Sequence, residues 1–323
     1  MSVREKILWA AGVILLIILY LASSTDLIIK EREVQIHPVS IILNDVNDTY
    51  FQNFKKGVDQ AAQDYYADTS YTTLYDEISQ EQQLWLINRE IEDGAEAVVV
   101  VPVDSADLDG ALAEHRSAVP LVILGEGPME NGVCGRILVD SRGAGKLLAE
   151  EALKEQPEET VWYLIAGRLD PANTDLILEG VKGVLEEQGA EYVLTGADRN
   201  GKPIRSAMEE AALSGKKAAV IAMDKEILTE AAEILKSEPE LQAGILGVYG
   251  VGSTTSLLGS LEAGVIDGLV TFDQYTAGYQ SVETAVEAIR SADLKETVQM
   301  DYYYITGENL REKKYETMLY PME

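Results

Sequence analysis

Few side chains in this 323-residue chain have the types and spacing that covalent or metal chemistry requires. There are two histidines, His37 and His115, and a single cysteine, Cys134. Nucleophilic catalysis pairs a serine or cysteine with a positioned base, and neither histidine stands in such a motif; both read as surface residues. A structural zinc ion takes four N, S or O ligands, which one thiol and two distant imidazoles do not supply. One cysteine also excludes an intrachain disulfide. Cys134 lies in an apolar stretch ahead of a strand and reads as a small buried thiol. Gly143-Ala144-Gly145-Lys146 has the outline of a phosphate loop, but Leu147 stands where the magnesium-binding hydroxyl is required and the upstream glycine is missing. Gly250-Val251-Gly252 lacks the third glycine of a dinucleotide fingerprint, and no Gly-x-Ser-x-Gly elbow occurs. These residues point to binding rather than turnover, with no cofactor and no metal.

Charge narrows the partners. The chain has 55 acidic against 26 basic residues, a net charge of −29. A nucleic-acid binder needs the reverse, because Lys and Arg must displace counterions from phosphates. Nucleic acid is therefore excluded. With 46% hydrophobic residues the chain can build ordinary cores. At roughly 100–200 residues per domain, its length suits two domains and a small extra segment.

That segment is N-terminal. Ile7–Ala22 carries no charge, follows Arg4 and Lys6, and is apolar on every face. Its length falls between a signal-peptide core of about 7–15 residues and a spanning helix of ~20. Extended through Ser23–Thr25 it becomes a membrane anchor, the reading preferred here; Ala22 and Ser24 would also suit cleavage after Ser24, which would release the chain. Lys30 and Arg32 beyond the run nearly balance Arg4 and Lys6, and the free amino terminus tips the N-terminus toward the cytoplasm. The remainder then lies on the outer face. No cysteine adjoins the run, so a lipoprotein anchor is excluded. Residues 26–38 read as a stalk.

From Val39 onward, short β-rich runs alternate with amphipathic stretches. The strands expected are Val39–Leu43, Thr72–Tyr75, Ala97–Val101, Leu121–Leu124 and Ile137–Val139, then Val161–Ala166, Tyr192–Leu194, Ala218–Ala222, Gly244–Val248 and Leu269–Thr271. Between them, Phe51–Ala67, Glu81–Asp93 and Gly143–Lys154 place apolar residues at helical spacing. Continuous apolar strands separated by helices make parallel sheets covered on both faces. Two such series make an α/β protein of two doubly wound lobes. Ligands of such sheets gather beyond the carboxyl ends of the strands, so the groove between lobes is the place to look.

The pattern resembles the type I periplasmic-binding-protein family, the ribose- and galactose-binding receptors and the ligand domains of lactose-repressor-like regulators. The resemblance runs from about Val39 to Asn309. It is carried by Asn47-Asp48-Thr49-Tyr50-Phe51 after the first strand, Glu92-Asp93-Gly94-Ala95 leading to Pro102-Val103-Asp104-Ser105, and Val119-Pro120-Leu121-Val122. Further along come Val139-Asp140-Ser141 with Gly143 and Gly145, Leu178-Glu179-Gly180, Ile245-Leu246-Gly247 and Gly264-Val265-Ile266-Asp267-Gly268. Each is weak alone; order and spacing together are specific. The resemblance implies three hinge crossings, near Asp140, Asp273 and Tyr302. It divides the chain into residues 1–38, a first lobe of 39–139 with 273–301, and a second of 140–272 with 302–323. The DNA-reading segment of the repressors is replaced by the apolar run.

By the same resemblance the ligand contacts are Asn47, Tyr50, Phe51, Asp104, Glu126, Asp140, Asp175, Asp224, Tyr249 and Phe272. Aromatic faces against sugar C–H groups, with side chains bonding hydroxyls, suit a carbohydrate. The chain departs from the sugar receptors where they place an Asp-Arg pair and this chain has Gly125-Glu126, where they place an arginine and it has Asp175, and where Tyr249 replaces an aspartate. Arg168, a few residues from Asp175, is a candidate substitute. Buried unpaired carboxylates are costly, so Asp104, Glu126, Asp175 and Asp224 motivate a rival reading, a cationic amine or amino sugar. An enzyme on the same fold is a second alternative. The implied function is a receptor that closes on a small sugar-like ligand and presents the closed form to a membrane partner, an ABC permease or a membrane histidine kinase.

Overall fold

The computed structural model describes residues 2–24, 35–44, 51–74, 79–114, 117–166, 171–196, 204–291 and 295–320. They fall into two compact units, residues 1–36 and 37–323. The first unit contains helix α1 (Val3–Ser24). Its stretch Val3–Ala22, of mean hydropathy 2.0, is long and apolar enough by length and composition to cross a membrane.

The second unit holds two six-stranded sheets. It opens with β1 (His37–Leu43), α2 (Gln52–Tyr65), β2 (Ala67–Thr73), α3 (Gln80–Glu92), β3 (Ala97–Val100), α4 (Ser105–Glu114), β4 (Leu121–Leu124) and β5 (Val133–Val139). Next come α5 (Ser141–Glu155), β6 (Val161–Ala166), α6 (Pro171–Glu187), β7 (Tyr192–Gly196), α7 (Ile204–Ala212), β8 (Ala218–Ala222), α8 (Lys225–Ser237), α9 (Pro239–Ala243), β9 (Gly247–Val251), α10 (Thr255–Glu262) and β10 (Gly268–Phe272). The last elements are α11 (Gln274–Arg290), β11 (Glu296–Met300), β12 (Tyr302–Thr306) and α12 (Lys313–Leu319).

Strand order is β11-β5-β4-β3-β1-β2 in the first sheet and β12-β10-β9-β8-β6-β7 in the second. The central strands read Ala-Val-Val-Val, Leu-Val-Ile-Leu and Ala-Ala-Val-Ile-Ala and are buried at every position, as strands covered on both faces must be. The chain passes between the sheets three times: after β5, after β10, and between β11 and β12. Aspartates start the helices at the first two passages. Asp140 accepts the Gly143 N–H at 2.9 Å and Asp273 the Thr276 N–H at 3.0 Å, each satisfying a donor that a helix start leaves orphaned.

The first sheet is wholly parallel. The second is not, because β12 pairs antiparallel with β10. The reason is geometric. Strand β11 runs parallel to β5 and ends in the first sheet; one residue later β12 enters the second sheet from the end at which β10 leaves it.

Other expectations shift. Helix α2 stops at Tyr65 because Tyr66 turns into the left-handed region (φ 58), and β2 begins directly at Ala67 rather than Thr72. Strand β9 begins at Gly247 rather than Gly244, since α9 takes Pro239–Ala243 and Gly244 caps it. Strands β11 and β12 had no counterpart in the apolar pattern: β11 is a polar, exposed edge, Glu-Thr-Val-Gln-Met. His37 belongs to β1, not to a stalk, and is 3% exposed. Its Nδ1 lies 2.7 Å from Glu96 Oε2, so it is a paired core residue and not a surface one. His115 lies outside the described residues. Cys134 is within β5, half-buried, its thiol donating to the Leu121 carbonyl at 3.2 Å; burial pushes that thiol up to about 11.

Two helix crossings hold the layers together, α2 against α11 and α5 against α6. In both, glycines allow backbone contact: a Cβ on Gly57 would overlap the Tyr275 carbonyl, and one on Gly145 would overlap that of Ile177.

Candidate functional site

The carboxyl ends of strands from both sheets converge on a cavity of about 150 Å³. The first sheet contributes Asn44 after β1, Val101 and Pro102 after β3, Leu124 and Gly125 at the end of β4, and Val139 at the end of β5. Phe51, leading into α2, closes that side. The second sheet contributes Met223 to Glu226 after β8, Val251 and Gly252 at the end of β9, and Phe272 at the end of β10, while Asn173, Thr174 and Ile177 come from α6. Tyr302, where the chain returns to the second sheet, lines the hinge side.

The aromatic groups are fixed by packing. Phe51 is 4% exposed and meets Phe54 edge-on at 5.9 Å. Phe272 meets Tyr302 edge-on at 6.0 Å. Such T-shaped pairs hold rings without consuming both faces. Asn44 is oriented by donating its amide to the Pro102 carbonyl at 2.6 Å. Ser141, the first residue of α5, donates to Asn173 Oδ1 on α6.

Asp224 caps α8, with Oδ1 accepting the Ile227 N–H at 2.8 Å. Lys225, the first residue of that helix, turns into the cavity. Its Nζ lies 5.5 Å from the centroid of the Phe51 ring, across from the other sheet, and 3.3 Å from Glu226 Oε1.

Of the ten residues implied by resemblance, Phe51, Asp224 and Phe272 line this cavity. Asn47 and Tyr50 lie outside the described residues, as does Arg168. Asp104, Glu126, Asp140, Asp175 and Tyr249 are not in the lining. Asp140 is exposed and serves as the cap of α5. Asp175 is half-buried on α6 beside Thr174, and Asp104 is half-buried ahead of α4. Glu126 is half-buried next to Gly125; desolvation raises its pKa, with Asp140 adding and Arg136 and Arg142 opposing.

Tyr249 is placed elsewhere altogether. It is fully buried against Trp162 at 5.9 Å, and its hydroxyl accepts from Gln156 at 2.7 Å and donates to Glu155 at 3.2 Å. These partners lie at the far end of α5 from the cavity. The late start of β9 explains the difference: residue 249 is mid-strand, and Val251 and Gly252 reach the cavity instead.

The four acids that suggested a cation site are therefore not gathered here. Asp224 alone lines the cavity, joined by Lys225 and Glu226, and among the described residues no group of three or more His, Cys, Asp or Glu could hold a metal ion. Asn44, Thr174, Lys225, Glu226 and Tyr302 went unread as contacts. All but Thr174 sit within a few residues of a strand end, the position that parallel-sheet topology singles out.

The periplasmic binding protein domain model matches residues 39–293. The chain belongs to that family. Its members are solute-binding proteins, not enzymes. Comparison with curated protein sequences gave no match. The binding-protein fold is shared with a carbohydrate-transporter solute-binding protein from Agrobacterium radiobacter in complex with D-arabinose. That structure is 19% identical, with a TM-score of 0.75, over 89% of this chain and 100% of the other. A solute-binding protein of an ABC transporter from Bacillus halodurans with bound myo-inositol is 22% identical, with a TM-score of 0.73, over 87% of this chain and 98% of the other. A glucose-galactose binding protein from Geobacillus stearothermophilus is 15% identical, with a TM-score of 0.71, over 86% and 99%. At these identities the likeness is one of fold.

Proposed function

We propose that this binding protein is an extracytoplasmic receptor that closes its two lobes on a small sugar-like molecule. The observation that carries the reading is the cavity itself, which is walled by strand ends of both sheets and faced by Phe51 and Phe272. One solute there touches both lobes, so it stabilises the closed form over the open one. About 150 Å³ is on the order of ten times the ~15 Å³ that admits one water, which suits a single monosaccharide. The D-arabinose in one solute-binding neighbour is a monosaccharide, and the myo-inositol in another is a cyclic polyol of similar size.

Helix α1 then tethers the receptor to the outer face of the membrane, and the closed form is presented to an ABC permease or a sensor kinase; anchoring raises the effective concentration near either. A melting-temperature screen of the full chain against monosaccharides, polyols and amines tests the ligand class. A shift of several degrees with sugars is expected. Shifts with amines alone would overturn the reading. Crosslinking in native membranes followed by purification identifies the partner, permease subunits or a kinase.

A further inference from the structure

We infer that the ligand of this cleft is a deoxy sugar: apolar strand ends of both sheets meet at the floor of the cavity and disfavour a hydroxyl there, so a sugar with a hydrogen or methyl group at that place is preferred over its fully hydroxylated parent. This rests on the sugar-receptor reading and narrows it.

The floor is a product of the strand pattern. Strands covered on both faces are apolar along their length, and here the apolar residues run on to the ends that face the cavity. In the first sheet the neighbours β3, β4 and β5 deliver Val101, Leu124 and Val139. In the second, β8, β9 and β10 deliver Met223, Val251 and Phe272. All six are continuous with the buried clusters behind them. The polar lining comes from other places: Asn44 after β1, Asn173 and Thr174 on α6, and the start of α8 at Asp224. Tyr302, on the hinge side, braces Phe272 with its ring.

The backbone of the floor is committed as well. The N–H groups of Val101, Gly125 and Met223 donate to the carbonyls of Ile42, Ile137 and Ile165 at 2.9 Å, and that of Gly252 donates to Val270 at 3.0 Å. The carbonyls of Val101 and Val139 already accept from Gln83 at 2.8 Å and Ser141 at 3.2 Å. A sugar hydroxyl turned toward this floor gives up its bonds to water and meets apolar side chains and amides already used by the sheets, which is costly. A hydrogen or methyl group in the same place adds apolar burial instead. The sugar then lies with its deoxy edge on the strand ends and its hydroxyls toward Asn44, Asn173 and the start of α8.

Calorimetric titration of the full chain, in a detergent without a sugar headgroup, tests this with sugars that differ by one hydroxyl. The probes are D-galactose with D-fucose, D-glucose with 6-deoxy-D-glucose and with 2-deoxy-D-glucose, and L-mannose with L-rhamnose. At least one deoxy sugar is expected to bind at least about tenfold more tightly than its parent. This comparison needs only the unaltered protein. Val139→Thr and Val251→Thr keep the branched shape and put a hydroxyl on the floor, so each should narrow the ratio; melting curves show whether they are folded. Parents that bind as tightly as their deoxy counterparts in every pair, or a ratio unchanged in both folded variants, overturn the inference and leave the receptor standing. The same holds if other sugars of the wider screen bind and no deoxy sugar does. If no sugar binds at all, the sugar reading falls, and this inference with it.

Discussion

Phe272 and Glu126 show how a few atoms at the mouth of the cavity separate binding from stability. Phe272 offers one face to the cavity and is braced edge-on by Tyr302. Phe272→Leu keeps the bulk but loses the flat face, so sugar affinity should fall about tenfold, a loss of the size expected for an aromatic contact, measured by titration. Glu126 is different. Its carboxyl is desolvated, and the nearby arginines do not fully compensate. The folded state therefore holds the proton more tightly than the unfolded chain. The stability linked to that proton is present below the ordinary glutamate value of 4.5 and is lost as pH rises through the elevated folded value. Glu126→Gln removes the cost, so the variant should melt higher than the parent at pH 7. The difference should close below about pH 4.5. At this scale the sequence was only partly readable. Asp224 and Phe272 sit at or just after strand ends and were placed by the family resemblance. Lys225 carries no motif, being one lysine among many on helices, and only its helix cap and the space beside Gly252 direct it inward.

The elements are held at fixed distances by glycines that the helical pattern does not advertise. Helix α6 contains a built-in comparison. A Cβ on Gly180 would run into the Arg142 carbonyl on α5, whereas one on Gly183 meets nothing within 4 Å. Gly180→Ala should cost about 1–3 kcal/mol through overpacking. Gly183→Ala should be neutral or add up to ~1 kcal/mol, since alanine is the better helix former. Denaturant unfolding of the two variants decides it, and equal effects would mean that the α5–α6 crossing is looser than described. Gly57→Ala tests the matching crossing of α2 and α11 and should resemble Gly180→Ala. Strands buried on both faces, such as β3, β4, β6 and β8, were legible as apolar runs, whereas the polar β2 was misplaced. Strand β11 was not legible, because most of its residues are polar and face water at the sheet edge. The antiparallel entry of β12 was not legible either, because direction depends on which side of the groove the chain approaches from.

For the whole molecule, the three passages between sheets are short and lie beside the cavity: one aspartate before α5, one before α11, and Asp301 between β11 and β12. Closure about so few residues is a hinge motion. Addition of a bound sugar should reduce the radius of gyration in small-angle scattering, and no change on saturation would count against closure. Two lobes were readable from the doubled rhythm of strands; the number of passages came only from the family resemblance, since nothing in periodicity says to which sheet a strand returns. The passages have one more consequence. Helix α11, which packs on α2 in the first sheet's layer, follows the last parallel strand of the second sheet, and β11, which covers the outer edge of β5, comes later still. During synthesis the first half therefore leaves the ribosome with an open edge and a bare glycine groove on α2. It cannot be sealed until nearly all of the second half has been made. A nascent chain halted soon after β5 should aggregate or recruit chaperones, while one halted after β12 should not.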